Sequence, residues 1–110
     1  DAFDYISSAD LIILSSKYEG LPNILIEAQY LGIPIISSNC PSGPKEILLN
    51  GKLGSLFNVG DYENLTKKIY NFYKNKKILK QKSILAKKYL YRFDYEKNLN
   101  KYFKLLNKHL

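Results

Sequence analysis

Between residues 11 and 37 two short apolar runs flank one helix-like stretch, and the punctuation between them leaves the chain little freedom. Leu11-Ile-Ile-Leu14 is continuously apolar and ends at Ser15-Ser16. A run of that length without alternation reads as a strand buried on both faces of a parallel sheet. After the loop Lys17-Tyr-Glu-Gly20, Pro22 suits the first turn of a helix, where its missing N–H has no partner to lose. The helix is expected from about Leu21 to Leu31, with Gly32 as its stop and Pro34 barring continuation. Ile33 to Ser37 then reads as a second buried strand. Strand, helix and strand in succession form a βαβ unit, which crosses over right-handedly.

The remainder extends this pattern and then changes character. Ser38 to Pro44 is a turn-rich loop, Lys45 to Leu49 is one helical turn stopped by Asn50-Gly51, and Gly54 to Asn58 is a third strand. Asp61 is a candidate N-cap for a helix whose stripe is Leu65, Ile69, Phe72 and Tyr73. Ile78, Leu79, Leu85, Ala86, Tyr89 and Leu90 make a second amphipathic face. Asp94 caps a third helix lined by Tyr95, Leu99, Tyr102, Phe103 and Leu106. The expected fold is α/β, partial and Rossmann-like. A βαβ core of about three parallel strands covers about 9–58, and a helical tail covers about 61–108, all within one domain or part of one.

Composition narrows the class. An apolar content of 45% and an aromatic content of 14% belong to a globular chain rather than a disordered one. Leu11 to Leu14 is far short of the ~20 residues of a membrane span. Asp1 and Asp4 stand where the basic region of a secretory signal would be. The single Cys40 can form neither an internal disulfide nor a multi-cysteine metal site, and a cytoplasmic location is expected. Charge is lopsided: residues 1–65 carry three lysines against eight acids, and residues 66–110 carry thirteen lysines and Arg92 against Asp94 and Glu96. Such a basic half suits a nucleic acid, an anionic membrane surface or a solvated face. No nucleic-acid motif accompanies it and the lysines spread around their helices, so no nucleic-acid partner is expected.

The chemistry lies in Glu19-Gly-Leu-Pro-Asn-Ile-Leu-Ile-Glu27. If Pro22 opens the helix, Glu19 sits in the loop before it. Glu27 then lies roughly 7–8 Å along the axis, at about 1.5 Å per residue. The N–H groups of the first turn lie between the two acids; they lack intrahelical partners and carry the positive end of the helix dipole. A diphosphate can dock on the amides of Asn23, Ile24 and Leu25. A carboxylate offers two acceptor oxygens to a vicinal diol, so Glu27 can take the hydroxyls of a ribose and Glu19 those of a sugar. Gly20 admits close backbone approach. Ribose, diphosphate and sugar in that order make a nucleotide sugar, bound where open α/β sheets bind ligands. The spacing alone is a weak signal, better explained by an exposed Glu27 and a Glu19 that merely favours a helix start; the buried-looking strand before it and the Gly-Leu-Pro-Asn turn are what favour a site.

The segments Ala9-Asp10-Leu-Ile-Ile-Leu-Ser-Ser16, Tyr18-Glu-Gly-Leu-Pro-Asn23, Glu27-Ala28, Leu31-Gly-Ile-Pro34 and Cys40-Pro-Ser-Gly-Pro-Lys-Glu-Ile-Leu48 follow one another at characteristic intervals. Together they resemble the GT-B glycosyltransferases of family 4, and the resemblance covers almost the whole chain. It implies that Glu19 approaches the donor sugar as a catalytic residue and that Glu27 binds the ribose. Gly20, Leu21, Asn23, Ile24 and Leu25 complete the donor site. It further implies retention of anomeric configuration, no cofactor and no metal. The stretch from Ser42 to Glu46 is similar to enzymes of bacterial surface polysaccharide synthesis, which use UDP-hexose or UDP-N-acetylhexosamine donors.

A GT-B enzyme needs two Rossmann-like domains, so the chain is expected to be the C-terminal part of the donor-binding domain, inactive by itself. In the full enzyme the partners would be a nucleotide-sugar donor and a glycan or lipid-linked acceptor. Lysines of residues 74–108 would give peripheral contact with the inner face of the membrane. The alternative is a non-catalytic basic module that holds a membrane surface. His109 and the lysines Lys17 and Lys45 read as surface residues, and Cys40 as a packed loop residue.

Overall fold

The computed structural model describes residues 9–15, 22–41 and 43–92. Three strands, β1 (Ile12–Leu14), β2 (Ile35–Ser38) and β3 (Ser55–Phe57), form one parallel sheet in the order β1-β2-β3. Ile12 is opposite Ile35, and Ile36 is opposite Ser55. Helix α1 (Pro22–Leu31) connects β1 to β2, and the short α2 (Pro44–Ile47) lies between β2 and β3. Two longer helices follow, α3 (Tyr62–Lys74) and α4 (Lys77–Lys88), and a 3-10 turn covers Leu90–Arg92. The expected α/β architecture with three parallel strands is therefore present. The third expected helix, from Asp94, lies outside the described residues.

The ends of α1 follow the reading of its sequence. Pro22 is its first residue, and Gly32 adopts φ 72° immediately after it. The Gly32 amide donates to the Gln29 carbonyl at 3.2 Å, and the Ile33 amide donates to that of Ala28 at 2.9 Å. This pair of bonds is the Schellman arrangement, and it needs the left-handed conformation that glycine adopts without a Cβ penalty.

Alternation along β2 divides the core in two. Ile35 faces one layer with Leu25 and Ala28 of α1, Ile47 of α2 and Ala86 of α4. Ile36 faces the other, with Phe57, Phe72 of α3 and Leu79 of α4. The sheet is thus covered on both faces, and α4 spans from one core to the other. All four β2 residues are buried, as expected of a central strand.

The structure corrects three readings. β1 is not buried on both faces, for Ile13 is 43% exposed; β1 is an edge strand among the described residues, and nothing described covers Ile13. Tyr73 is 76% exposed and does not join the α3 stripe, which consists of Leu65, Ile69 and Phe72. At 100° per residue Tyr73 falls about 80° from Leu65, beyond a narrow stripe. Ile78 is exposed for a like reason, and the buried face of α4 runs through Leu79, Ser83 and Ala86. Among the described residues no helix is long and apolar enough to cross a membrane.

Candidate functional site

The site is assembled from the bottom up by α1. Among its described side chains Leu25, Glu27, Ala28 and Gln29 are buried, Ile24, Ile26 and Leu31 are half-buried, and Tyr30 is exposed. Leu25 belongs wholly to the core and Ile24 packs partly against it, so the hydrophobic face of α1 fixes the helix on the sheet. Ligand contacts from these two positions would have to come from the backbone. Two polar side chains, Glu27 and Gln29, are carried into the interior by the same helix.

Glu27 is only 6% exposed, and its Oε2 has no hydrogen-bond partner among the described residues. Burial raises the pKa of its carboxyl above the ordinary value, because the low-dielectric surroundings penalise the charged form. A carboxylate in such a position normally has donors facing it. Five residues separate Glu27 from Pro22, which sets it about 7.5 Å along the axis from the helix start. Asn23 lies one turn before Glu27 along α1.

Gln29 is fully buried; its Nε2 donates to the Ile47 carbonyl at 3.0 Å, while its Oε1 is buried without a partner among the described residues. It ties α1 to α2. Ahead of α2, the Gly43 amide donates to Glu46 Oε2 at 3.0 Å, the half of a capping box that a glycine N-cap can form. At the C-terminal end of β2, Ser37 Oγ donates to the Ser38 carbonyl at 3.0 Å, and the Asn39 amide donates to Phe57 at 2.8 Å. Cys40 is 2% exposed and packed, as expected of a loop residue turned inward.

Of the predicted site residues, the structure places Ile24, Leu25 and Glu27 on α1 after the C-terminal end of β1, with Asn23 in its first turn. Glu19, Gly20 and Leu21 lie outside the described residues. Gln29 was missed by the sequence reading. A glutamine inside a helix that is otherwise nearly all apolar was the available signal, since such a residue is either exposed or tied to a partner.

Comparison with known proteins bears on the same segments. Residues 2–89 match the family model described as "Glycosyl transferases group 1". Over 46 residues the chain is 46% identical to an uncharacterized glycosyltransferase of Methanocaldococcus jannaschii, covering 42% of this chain and 11% of that protein. Over 55 residues it is 42% identical to the lipopolysaccharide 1,6-galactosyltransferase of Salmonella typhimurium, covering 50% of this chain and 15% of that one. The crystal structure of TarM superposes with a TM-score of 0.73 at 22% identity, over 94% of this chain and 21% of the other. The chain therefore spans well under a quarter of the length of each of these similar proteins.

Proposed function

Because the chain belongs to the glycosyl transferases group 1 family, we propose that its residues hold the nucleotide-sugar donor of a retaining, family 4-type glycosyltransferase of polysaccharide synthesis. Glu27 carries the proposal. A carboxylate 6% exposed, with one oxygen lacking a donor among the described residues, is an unfavourable thing to bury unless a ligand supplies the hydrogen bonds. A ribose supplies two adjacent hydroxyls, and both can donate to one carboxylate. The first-turn amides of α1 then face the diphosphate, where the helix dipole favours negative charge.

The departing diphosphate gains charge as the glycosidic bond breaks. Amides fixed in advance stabilise that charge without reorganising, so the reading requires no resident metal. Glu19 is assigned to the sugar end of the donor on sequence alone. A UDP-hexose or UDP-N-acetylhexosamine is the proposed donor, and a glycan or lipid-linked saccharide the acceptor. The lysines of α3 and α4, interspersed with the exposed Tyr70, Tyr73 and Ile84, suit peripheral contact with an anionic inner leaflet. Since the chain covers so small a share of its relatives, the 110 residues are proposed to bind donor without turning it over.

The test is titration of the chain with UDP, followed by NMR. Saturable shifts at the amides of α1, weakened by Glu27→Ala, are expected. UDP shifts that leave α1 untouched would sink the reading.

A further inference from the structure

We propose that the groove beside β3, where Lys68 of α3 and Lys82 of α4 meet, binds a phosphate dianion, either inorganic phosphate or a small phosphate monoester. A hollow of about 290 Å³ opens there, lined by both lysines and by Asn39, Asn58 and Asn64. A second hollow of about 190 Å³ adjoins it and shares Ser55, Lys68 and Lys82. None of the described residues lining either hollow is acidic, and none comes from α1. The groove is thus separate from the donor site proposed above.

The two ammonium groups differ in how they are held. Lys82 Nζ donates to the Gly51 carbonyl at 2.8 Å and reaches toward that of Gly54 at 3.5 Å. This fixes the charge at the start of β3 and leaves donor capacity unused. Lys68 has no hydrogen-bond or ion-pair partner among the described residues. The nearby acids on the same helix are engaged elsewhere: Asp61 accepts from the Asn64 amide at 3.1 Å, and Glu63 pairs with Lys67 at 3.7 Å. Both lysines line the same two hollows, and burial first, then the positive charge of Lys68, lowers the pKa of Lys82.

Two half-buried cations, amide side chains that can donate and no carboxylate among the described lining residues make a cationic cavity. A phosphate monoester matches it in charge and supplies three terminal oxygens, one more than a carboxylate has. The volume suits a small molecule rather than a polymer.

The experiment is an amide chemical-shift titration of the 110-residue chain with inorganic phosphate and with glycerol 3-phosphate, at constant ionic strength set by chloride. Saturable shifts at Gly51, Gly54, Ser55 and Asn64 are expected, with α1 unmoved. Lys68→Gln should weaken binding about tenfold or more, the loss of one charged hydrogen-bond partner. Lys82→Gln should do likewise; if that variant unfolds, Lys68→Gln decides alone, because Lys68 ties nothing together. Vesicles containing phosphatidic acid form a separate arm. Lys68-dependent vesicle binding that glycerol 3-phosphate competes away would identify the same chemistry on a lipid headgroup. Shifts that rise linearly without saturation, or that Lys68→Gln leaves unchanged, would overturn the proposal.

Discussion

Gln29 of α1 donates an Nε2 hydrogen bond to the carbonyl of Ile47 in α2 at 3.0 Å, joining two helices through residues eighteen positions apart in sequence. The bond is buried, and the other end of the same amide, Oε1, has no partner among the described residues. Removing the whole amide therefore costs less than removing its volume. Gln29→Leu should lower stability by about 1 kcal/mol, the net worth of one hydrogen bond partly offset by loss of the orphan acceptor. Gln29→Ala should cost about 2–4 kcal/mol, because it leaves a cavity as well. Urea midpoints at unchanged m-value measure both. Equal losses for the two variants would mean that packing at this position contributes little.

Glu27 gives a pH dependence of known sign. Its carboxyl has a raised pKa in the folded chain, so the folded state binds the proton more tightly than the unfolded one. Stability from this group is complete below the ordinary glutamate value of 4.5 and is lost as pH rises through the higher folded pKa. Glu27→Gln removes the dependence. The variant should be more stable than the parent at neutral pH, with the gap closing at acid pH. Urea unfolding of both chains at about pH 4 and about pH 7.5 checks this; a gap that widens on acidification would contradict the burial argument.

Gly54 stands between Leu48, the residue after α2, and the backbone of β2. A Cβ built there would lie 3.1 Å from Leu48 Cδ2 and 3.2 Å from the carbonyl oxygen of Ile35. The leucine methyl can yield, but the backbone oxygen of a buried central strand cannot. Gly54→Ala is expected to destabilise by about 1–3 kcal/mol, the usual cost of overpacking. A thermal midpoint equal to that of the parent would show that the strand gives way.

Asp61 closes the N-terminus of α3 by accepting from the Asn64 amide at 3.1 Å. Asp61→Ala should cost about 1 kcal/mol and Asp61→Asn only a fraction of that, since asparagine caps nearly as well. Chemical denaturation of the two variants side by side distinguishes a lost cap from a lost charge.

How much of this was legible in the sequence depended on whether the cause was local. Pro22 and Gly32 bracket α1 because a ring and a missing Cβ act within one turn, and Asp61 caps α3 for an equally local reason. The exposure of Ile13 depended on what lies over the sheet, which no local pattern records. Tyr73 and Ile78 look apolar enough to bury, yet each falls just outside a stripe only about one side chain wide. Within the candidate site the place of Glu27 on α1 was readable, whereas its burial and orphan oxygen were not. Lys68 and Lys82 lie on different helices, and only the turn at Asn75, whose Oδ1 accepts from the Lys77 amide at 3.1 Å, brings them to one groove.

The assignment of Glu27 to a ribose can be separated from its effect on stability by changing the ligand together with the protein. UDP and its 2′,3′-dideoxy analogue differ only in the diol that the carboxylate is proposed to accept. If Glu27 takes that diol, the parent chain should bind UDP about tenfold or more tightly than the analogue, the worth of hydrogen bonds to a charged group. In Glu27→Ala the two ligands should bind alike, so that the cycle closes with a coupling of about 1–2 kcal/mol. Indirect damage to the helix would weaken both ligands by the same factor and leave no coupling. A preference for UDP that survives the substitution intact would move the ribose to another residue, while leaving the amides of α1 free to hold the diphosphate.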